Sequence, residues 1–234
     1  NNQQELEYFF ATKDDRIYIM EEYVNGHVET YDGIADSNKN VLIANSTIML
    51  NSIMDNVNDH CDTAFQNRFV KGTDIEKVGQ KVVKAFDTRS RFFHFEFFRL
   101  DADKDGLGKK GDLVGLEVNM RAPGAYMPDM MNFSYDSDVY TVWADMIIYD
   151  KCFLDLKQQY LVAYIGRRDN FDYLYDNSQL RDQFGFDIVL DVDVPEALSA
   201  AMGNHVFMVR SNNQDHLDYM IDEFLKRKDG SSWR

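Results

Sequence analysis

Residues 91–126 decide how this chain is read: RFFHFEFFRL (91–100), the polar run DADKDGLGKKGD (101–112), then LVGLEVNMRAPGAY (113–126). Strict alternation puts Glu117, Asn119 and Arg121 on one face of a strand and Leu116, Val118 and Met120 on the other. In the preceding strand Glu96 shares a face with His94 and Phe98, while Phe93, Phe95 and Phe97 point the opposite way. Three polar groups of the second strand thus converge on one surface whose reverse side is apolar.

The Asp/Gly/Lys run between the two strands has the composition of a hairpin connection, centred between Gly106 and Leu107. Glu96 and Glu117 are equidistant from that centre, so symmetric antiparallel pairing sets two carboxylates side by side. Alone, such a pair repels. A hard divalent cation bound by oxygens reverses the sign of the interaction, and Asn119 adds a neutral oxygen to the cluster. A solvated sheet face accounts for any single Glu; Glu, Glu, Asn and Arg in one register favour a site.

Composition narrows the function. The 234 residues suit one or two compact domains with a real core, and 44% hydrophobic content rich in Phe and Tyr excludes a disordered class. A net charge of -15 argues against nucleic acid or an anionic membrane as partner and leaves small solutes. No apolar run is long enough to span a bilayer and none has signal-peptide form. Cys61 and Cys152 form no CxxC pair, which fits reduced thiols in a cytoplasmic protein better than a disulfide framework or a zinc site. The chain opens Asn-Asn-Gln-Gln without methionine, as expected of a fragment or a processed chain.

Upstream of the hairpin, residues 1–12 carry Leu6, Phe9 and Phe10 at helical spacing. The run RIYIMEEYVNGHVETYDGIAD (16–36) reads as a strand, a bend at Asn25 and Gly26, and a second strand ending near Ala35; VLIAN (41–45) is a third. Residues 46–71 lack a clean period and read as loop with some helix, and His60 beside Cys61 has poor metal-ligand geometry. Thr73 opens a helix with a Thr-Asp-Ile-Glu capping box and an Ile75, Val78, Val82, Phe86 stripe.

Within the connection, Asp101, Asp103, Asp105 and Gly106 imitate the start of an EF-hand calcium loop. Gly108, Asp112 and the flanking strands break the pattern, so a hairpin is favoured over a calcium module. Residues 122–138 read as a loop in which Pro123 and Gly124 allow close backbone approach. Met127, Met130 and Met131 fill either a substrate pocket or, more commonly, a core. Asp138 caps a helix bearing Val139, Val142, Trp143, Met146 and Ile147. Beyond residue 152, YLVAYIGRR, a Tyr-rich segment, FDIVLDVDVP and HVFMVRS read as strands, 178–184 as a helix, and Leu217, Met220, Ile221, Phe224 and Leu225 as the buried side of a closing helix.

Taken together, the FEF strand, the LEVNMR strand and the APGAY loop resemble the ATP-grasp carboxylate ligases. The likeness is strongest to their amino-acid-ligase, biotin-carboxylase and carbamoyl-phosphate-synthase branches. The fold expected is α+β: an ATP-grasp carboxyl-terminal lobe with an antiparallel sheet and flanking helices over 1–152, and a small appended α/β subdomain over 153–234. The resemblance implies Glu96, Glu117 and Asn119 as ligands of Mg2+, with Mn2+ an alternative, bridging the phosphates of ATP. It implies Arg121 as the catalytic clamp on phosphate or acyl oxygens. EEYVNGHVE also resembles the family's adenine strand, implying Glu21 and the backbone of Glu22 to Val24 at adenine, with His27 or Glu29 near the ribose.

The activity so implied joins a small-molecule carboxylate to an amine, or less often a thiol, through an acyl phosphate. A bicarbonate-activating enzyme and a non-catalytic interaction domain are the alternatives. The family's amino-terminal half and its phosphate-binding lid have no counterpart upstream of the adenine strand here. That half of the same enzyme is the expected partner, a homodimer is left open, and the isolated chain is expected to be inactive.

Overall fold

The computed structural model describes residues 2–51 and 61–233. Its alternating apolar runs pair into one sheet, antiparallel at each junction. The strands are β1 (Gly26–Ala35), β2 (Val41–Asn45), β3 (Thr47–Met49), β4 (Thr63–Asn67), β5 (Arg91–Leu100), β6 (Leu113–Asn119), β7 (Leu161–Arg167), β8 (Ile188–Asp193) and β9 (His205–Ser211). Their order is β6-β5-β1-β3-β4-β7-β9-β8, with β2 also paired to β1, so β2 and β3 run along β1 as one strand interrupted at Ser46. Pairing of β4 with β7 carries the sheet unbroken past residue 152. The α+β class and antiparallel sheet are as the sequence implies.

Around the sheet lie α1 (Gln3–Thr12), α2 (Asp74–Ala85), α3 (Met127–Tyr135), α4 (Val139–Tyr149), α5 (Asn177–Phe184), α6 (Glu196–Met202) and α7 (Gln214–Leu225). On one face α2 sets Ile75 and Val83 against Tyr31, Phe93, Phe95 and Phe97. The close approach requires Gly79, because a Cβ there would lie 2.1 Å from the Tyr31 ring. Farther along the same face α5 and α7 bury Leu180, Phe184, Leu217, Ile221 and Phe224. The other face is covered by α3, whose Met127 and Met130 meet Phe65, Tyr164 and Met208, and by α4, whose Val142 and Met146 meet Ile34, Ile43 and Phe92. Each such fully buried side chain contributes roughly 1.5–3 kcal/mol.

Several expectations are corrected. Residues 13–25 form no strand: they are irregular and largely exposed, because no neighbouring strand pairs with them. The 122–138 loop contains α3, whose first turn accommodates Pro128 and whose three methionines fill the core. Phe86 and Ile147 leave their helical stripes and are exposed, since Phe86 is already the C-cap and Ile147 lies on the outer side of α4. The Thr73 capping box is half formed: Thr73 accepts from Glu76 N, while Glu76 accepts from Gly72 N at 2.7 Å. The Tyr-rich segment makes only an isolated bridge, Tyr173 to Arg227. In the 46–71 stretch β3 and β4 replace the expected loop, while the part at 52–60, His60 included, lies outside the described residues.

Candidate functional site

Two glycines with left-handed backbone, Gly106 (φ 78°) and Gly111 (φ 89°), let residues 101–112 reverse the chain between β5 and β6. Leu100 N donates to Asp112 O at 3.0 Å and Gly111 N to Leu100 O at 2.8 Å, closing the ribbon. Along it Glu96 stands opposite Glu117 and His94 opposite Asn119, the register expected from the turn composition. A bulge after Glu96 inserts Leu116, which is 42% exposed instead of packing against the core with the partly buried Val118 and Met120. The inserted residue ends the strict alternation on which its placement rested.

The β1 register extends this surface, with Thr30 opposite Glu96 and Asp32 opposite His94. A row of hydrogen bonds then crosses the sheet. Asn67 Oδ1 accepts from Val162 N (2.7 Å), and Asn67 Nδ2 donates to Asn45 Oδ1 (3.2 Å). Asn45 donates to Thr47 Oγ1 (3.1 Å), Thr47 N to Thr30 Oγ1 (3.1 Å), and Thr30 to Asp32 Oδ2 (2.5 Å). Asp32 Oδ1 lies 2.5 Å from His94 Nδ1, and His94 Nε2 lies 2.9 Å from Glu96 Oε1. Asn67, Asn45, Thr47, Thr30 and Asp32 are wholly buried.

Carboxylates only accept, so both His94 nitrogens donate and the ring is an imidazolium. Burial opposes that charge, but the hydrogen bonds that His94 donates to Asp32 and Glu96, with their negative charges, prevail and raise its pKa to about 9.

At the open end of the row, Asn119 Nδ2 donates to Glu117 Oε2 at 2.8 Å, leaving the amide oxygen of Asn119 to the surface. Glu117 is exposed and Glu96 partly so, and among the described residues neither is ion-paired to Lys or Arg. Two adjacent carboxylates and an amide oxygen, with His94 on one oxygen of Glu96 and the remaining oxygens turned to the surface, suit a hard cation such as Mg2+. Among the described residues no three His, Cys, Asp or Glu side chains are grouped to hold a metal, so the pair would depend on Asn119 and on ligand oxygens. Arg121, past the end of β6, is exposed and donates to Ala122 O at 3.0 Å.

The acidic run of the connection is tied to its own surroundings. Asp101 meets His27 Nδ1 at 3.1 Å, and Asp103 takes Lys109 Nζ at 3.0 Å and Lys110 N at 2.9 Å. Among the described residues its aspartates form no shared centre for calcium.

The residues expected at adenine and ribose lie at the other end of this ribbon. Glu21, Glu22 and Val24 belong to the irregular 13–25 segment, where Lys104 Nζ bonds Tyr23 O at 2.8 Å and pairs with Glu22 at 2.9 Å. His27 is part-exposed at the start of β1. Glu29 does not present itself to a ligand. It is fully buried on the opposite face, between Arg68 Nη1 and Arg99 Nη2 at 2.6 Å each, and alternation along β1 separates it from the Thr30 face.

Sequence reasoning missed Asp32 and the polar row. No local signal marks them, because Asp32 and His94 are 62 residues apart and meet only through the β1–β5 pairing.

The antiparallel sheet, its covering helices and the acidic ribbon at its edge are similar in fold to solved synthetase structures. Over 95% of its length the chain superposes on N5-carboxyaminoimidazole synthetase from Staphylococcus aureus, with TM-score 0.63 and 12% identity, covering 56% of that chain. Phosphoribosylglycinamide synthetase from Anaerococcus prevotii matches 95% of this chain with TM-score 0.57 and 17% identity, covering 59% of that one. The Staphylococcus aureus synthetase complexed with ADP matches 96%, with TM-score 0.59 and 12% identity, covering 56%. The chain thus spans less than two thirds of the structures it resembles, and at these identities the likeness is one of fold. No protein-family model matches the sequence, and no curated protein matches it.

Proposed function

We propose that this chain is the metal-binding part of an ATP-dependent ligase that activates a small carboxylate. The observation that carries the reading is the Glu96–Glu117 pair, abreast on an open sheet face with Asn119 beside it and, among the described residues, no Lys or Arg ion-paired to either carboxylate. The ATP-grasp fold makes a nucleotide triphosphate the natural occupant of that face, with Mg2+ bound by Glu96, Glu117 and Asn119.

In such a ligase a carboxylate oxygen of the substrate attacks the terminal phosphorus of ATP, the bond to the bridging oxygen breaks, and ADP leaves. An amine then adds to the carbonyl carbon of the acyl phosphate; phosphate departs and the nitrogen loses its proton to solvent. The protein's contribution is positioning and charge neutralisation. When bound, the cation offsets the negative charge of the phosphates. Arg121 holds phosphate or acyl oxygens, and the backbone of residues 22–24 meets adenine. No protein nucleophile is required. The carboxylate and amine are selected by parts of the enzyme beyond this lobe, which also close the face against water.

The test is carboxylate-dependent ADP release by the whole enzyme that contains this chain. Glu117→Gln is expected to slow it by about a hundredfold or more, the scale of losing one preorganised charge-stabilising group. Equal rates in the two proteins would refute the metal role.

A further inference from the structure

The geometry points to His94 as a positioning residue that fixes Glu96 for its cation, with Asp32 as the anchor of the histidine. This rests on the reading of Glu96 as a ligand. A glutamate on a strand facing solvent samples several rotamers, and fixing it costs conformational entropy. Here one carboxylate oxygen, Oε1, is held by His94 Nε2 at 2.9 Å, and Oε2 has no protein partner among the described residues. The ring is held in turn. Its Nδ1 meets Asp32 Oδ1 at 2.5 Å, and the side chain of His94 is only 5% exposed.

The anchor is itself fixed. Asp32 is wholly buried, and its second oxygen accepts from Thr30 Oγ1, the last of the polar row that starts at Asn67. No rotation of the ring keeps both bonds, because a flip replaces each donating nitrogen with carbon. The chain of contacts therefore transmits the rigidity of the central sheet to a ligand at its edge.

The experiment is Mn2+ titration of this chain followed by the EPR signal of the free ion, with far-UV circular dichroism to verify folding. His94→Leu, which keeps the bulk and removes both donors, is expected to weaken Mn2+ binding by about tenfold or more, the range seen when a ligand's supporting partner is lost. His94→Gln, whose amide nitrogen takes the place of Nε2, is expected to recover most of the loss, which a purely space-filling role would not predict. Mn2+ binding by folded His94→Leu equal to that of the unaltered chain overturns the proposal. If His94→Leu does not fold, Asp32→Asn decides: weaker binding supports the anchor and unchanged binding overturns it. Glu117→Gln separates the two levels. Loss of binding in Glu117→Gln with none in the His94 and Asp32 variants removes only the positioning role. Binding unaffected by Glu117→Gln, or absent from the unaltered chain, removes the metal site and this inference with it.

Discussion

Gly79→Ala sets two physical effects of opposite sign against each other. Helix propensity alone makes alanine better than glycine inside α2 by about 1 kcal/mol. Packing says the reverse, because a Cβ at this position would meet Tyr31 ring atoms at 2.1, 2.4 and 2.5 Å, far inside the ~3.5–4 Å of a carbon–carbon contact. Movement of the ring is opposed by its stacking on Phe93 at 5.4 Å, which stacks on Phe95 at 4.8 Å.

The helix must therefore lift, at a cost near the upper end of the ~1–3 kcal/mol typical of overpacking. Net destabilisation is about 2 kcal/mol, or roughly 4–8 °C in Tm for a chain of this size. Urea unfolding is the assay, with the midpoint expected to fall at unchanged slope. Gly115→Ala is the control, since a Cβ there meets nothing within 4 Å. A midpoint that rises in Gly79→Ala would refute the packing argument, and with it the view that α2 is pressed against the strands carrying the site.

Glu29→Gln leaves two guanidinium groups facing a neutral amide; because Arg68 is partly exposed, the loss is expected near the lower end for a broken buried pair, about 3 kcal/mol in chemical unfolding, and no loss would mean the pair is solvated. Met130→Ala is expected to cost about 2–5 kcal/mol by the same measurement, and a loss under about 0.5 kcal/mol would take this methionine out of the core. Arg181 beside Asp191, helped by His205, holds the Asp191 carboxyl below its ordinary 3.8. A depressed folded-state value contributes stability that is present above pH 3.8 and disappears as pH falls through the lowered value. The gap in thermal midpoint between the unaltered chain and Asp191→Asn is thus expected at neutral pH and to shrink below pH 3.8; a constant gap would contradict the ion pair.

The β5–β6 ribbon was legible because three independent signals agree there: period-two alternation, a turn composition, and a centre of symmetry that pairs Glu96 with Glu117. The bulge at Leu116 was not, since one extra residue in a strand leaves the composition unchanged. EEYV failed as a strand for a different reason. Alternation is necessary but not sufficient, and among the described residues no strand pairs with residues 13–25. In α3 the helical signal was present, with methionines at 127, 130 and 131, but Pro123, Gly124 and Pro128 outweighed it. Of the site itself, the residues on the ribbon could be read from one stretch of chain. Asp32 and the fate of Glu29 depend on which strands become neighbours, which local pattern does not encode.

Hydrophobic patterning protects a sheet against a slip of one residue but is blind to a slip of two, which returns every side chain to its own side. The file of amides, hydroxyls and charges running from Asn67 to Glu96 removes that ambiguity. Displacing β1 against β5 by a two-residue step would keep the phenylalanines in grease yet strand Asp32 and His94 without mates, at about 1–3 kcal/mol for each orphaned group and more for charged ones. Shifted alignments during folding are thereby penalised in the middle of the molecule, long before any solute reaches its edge.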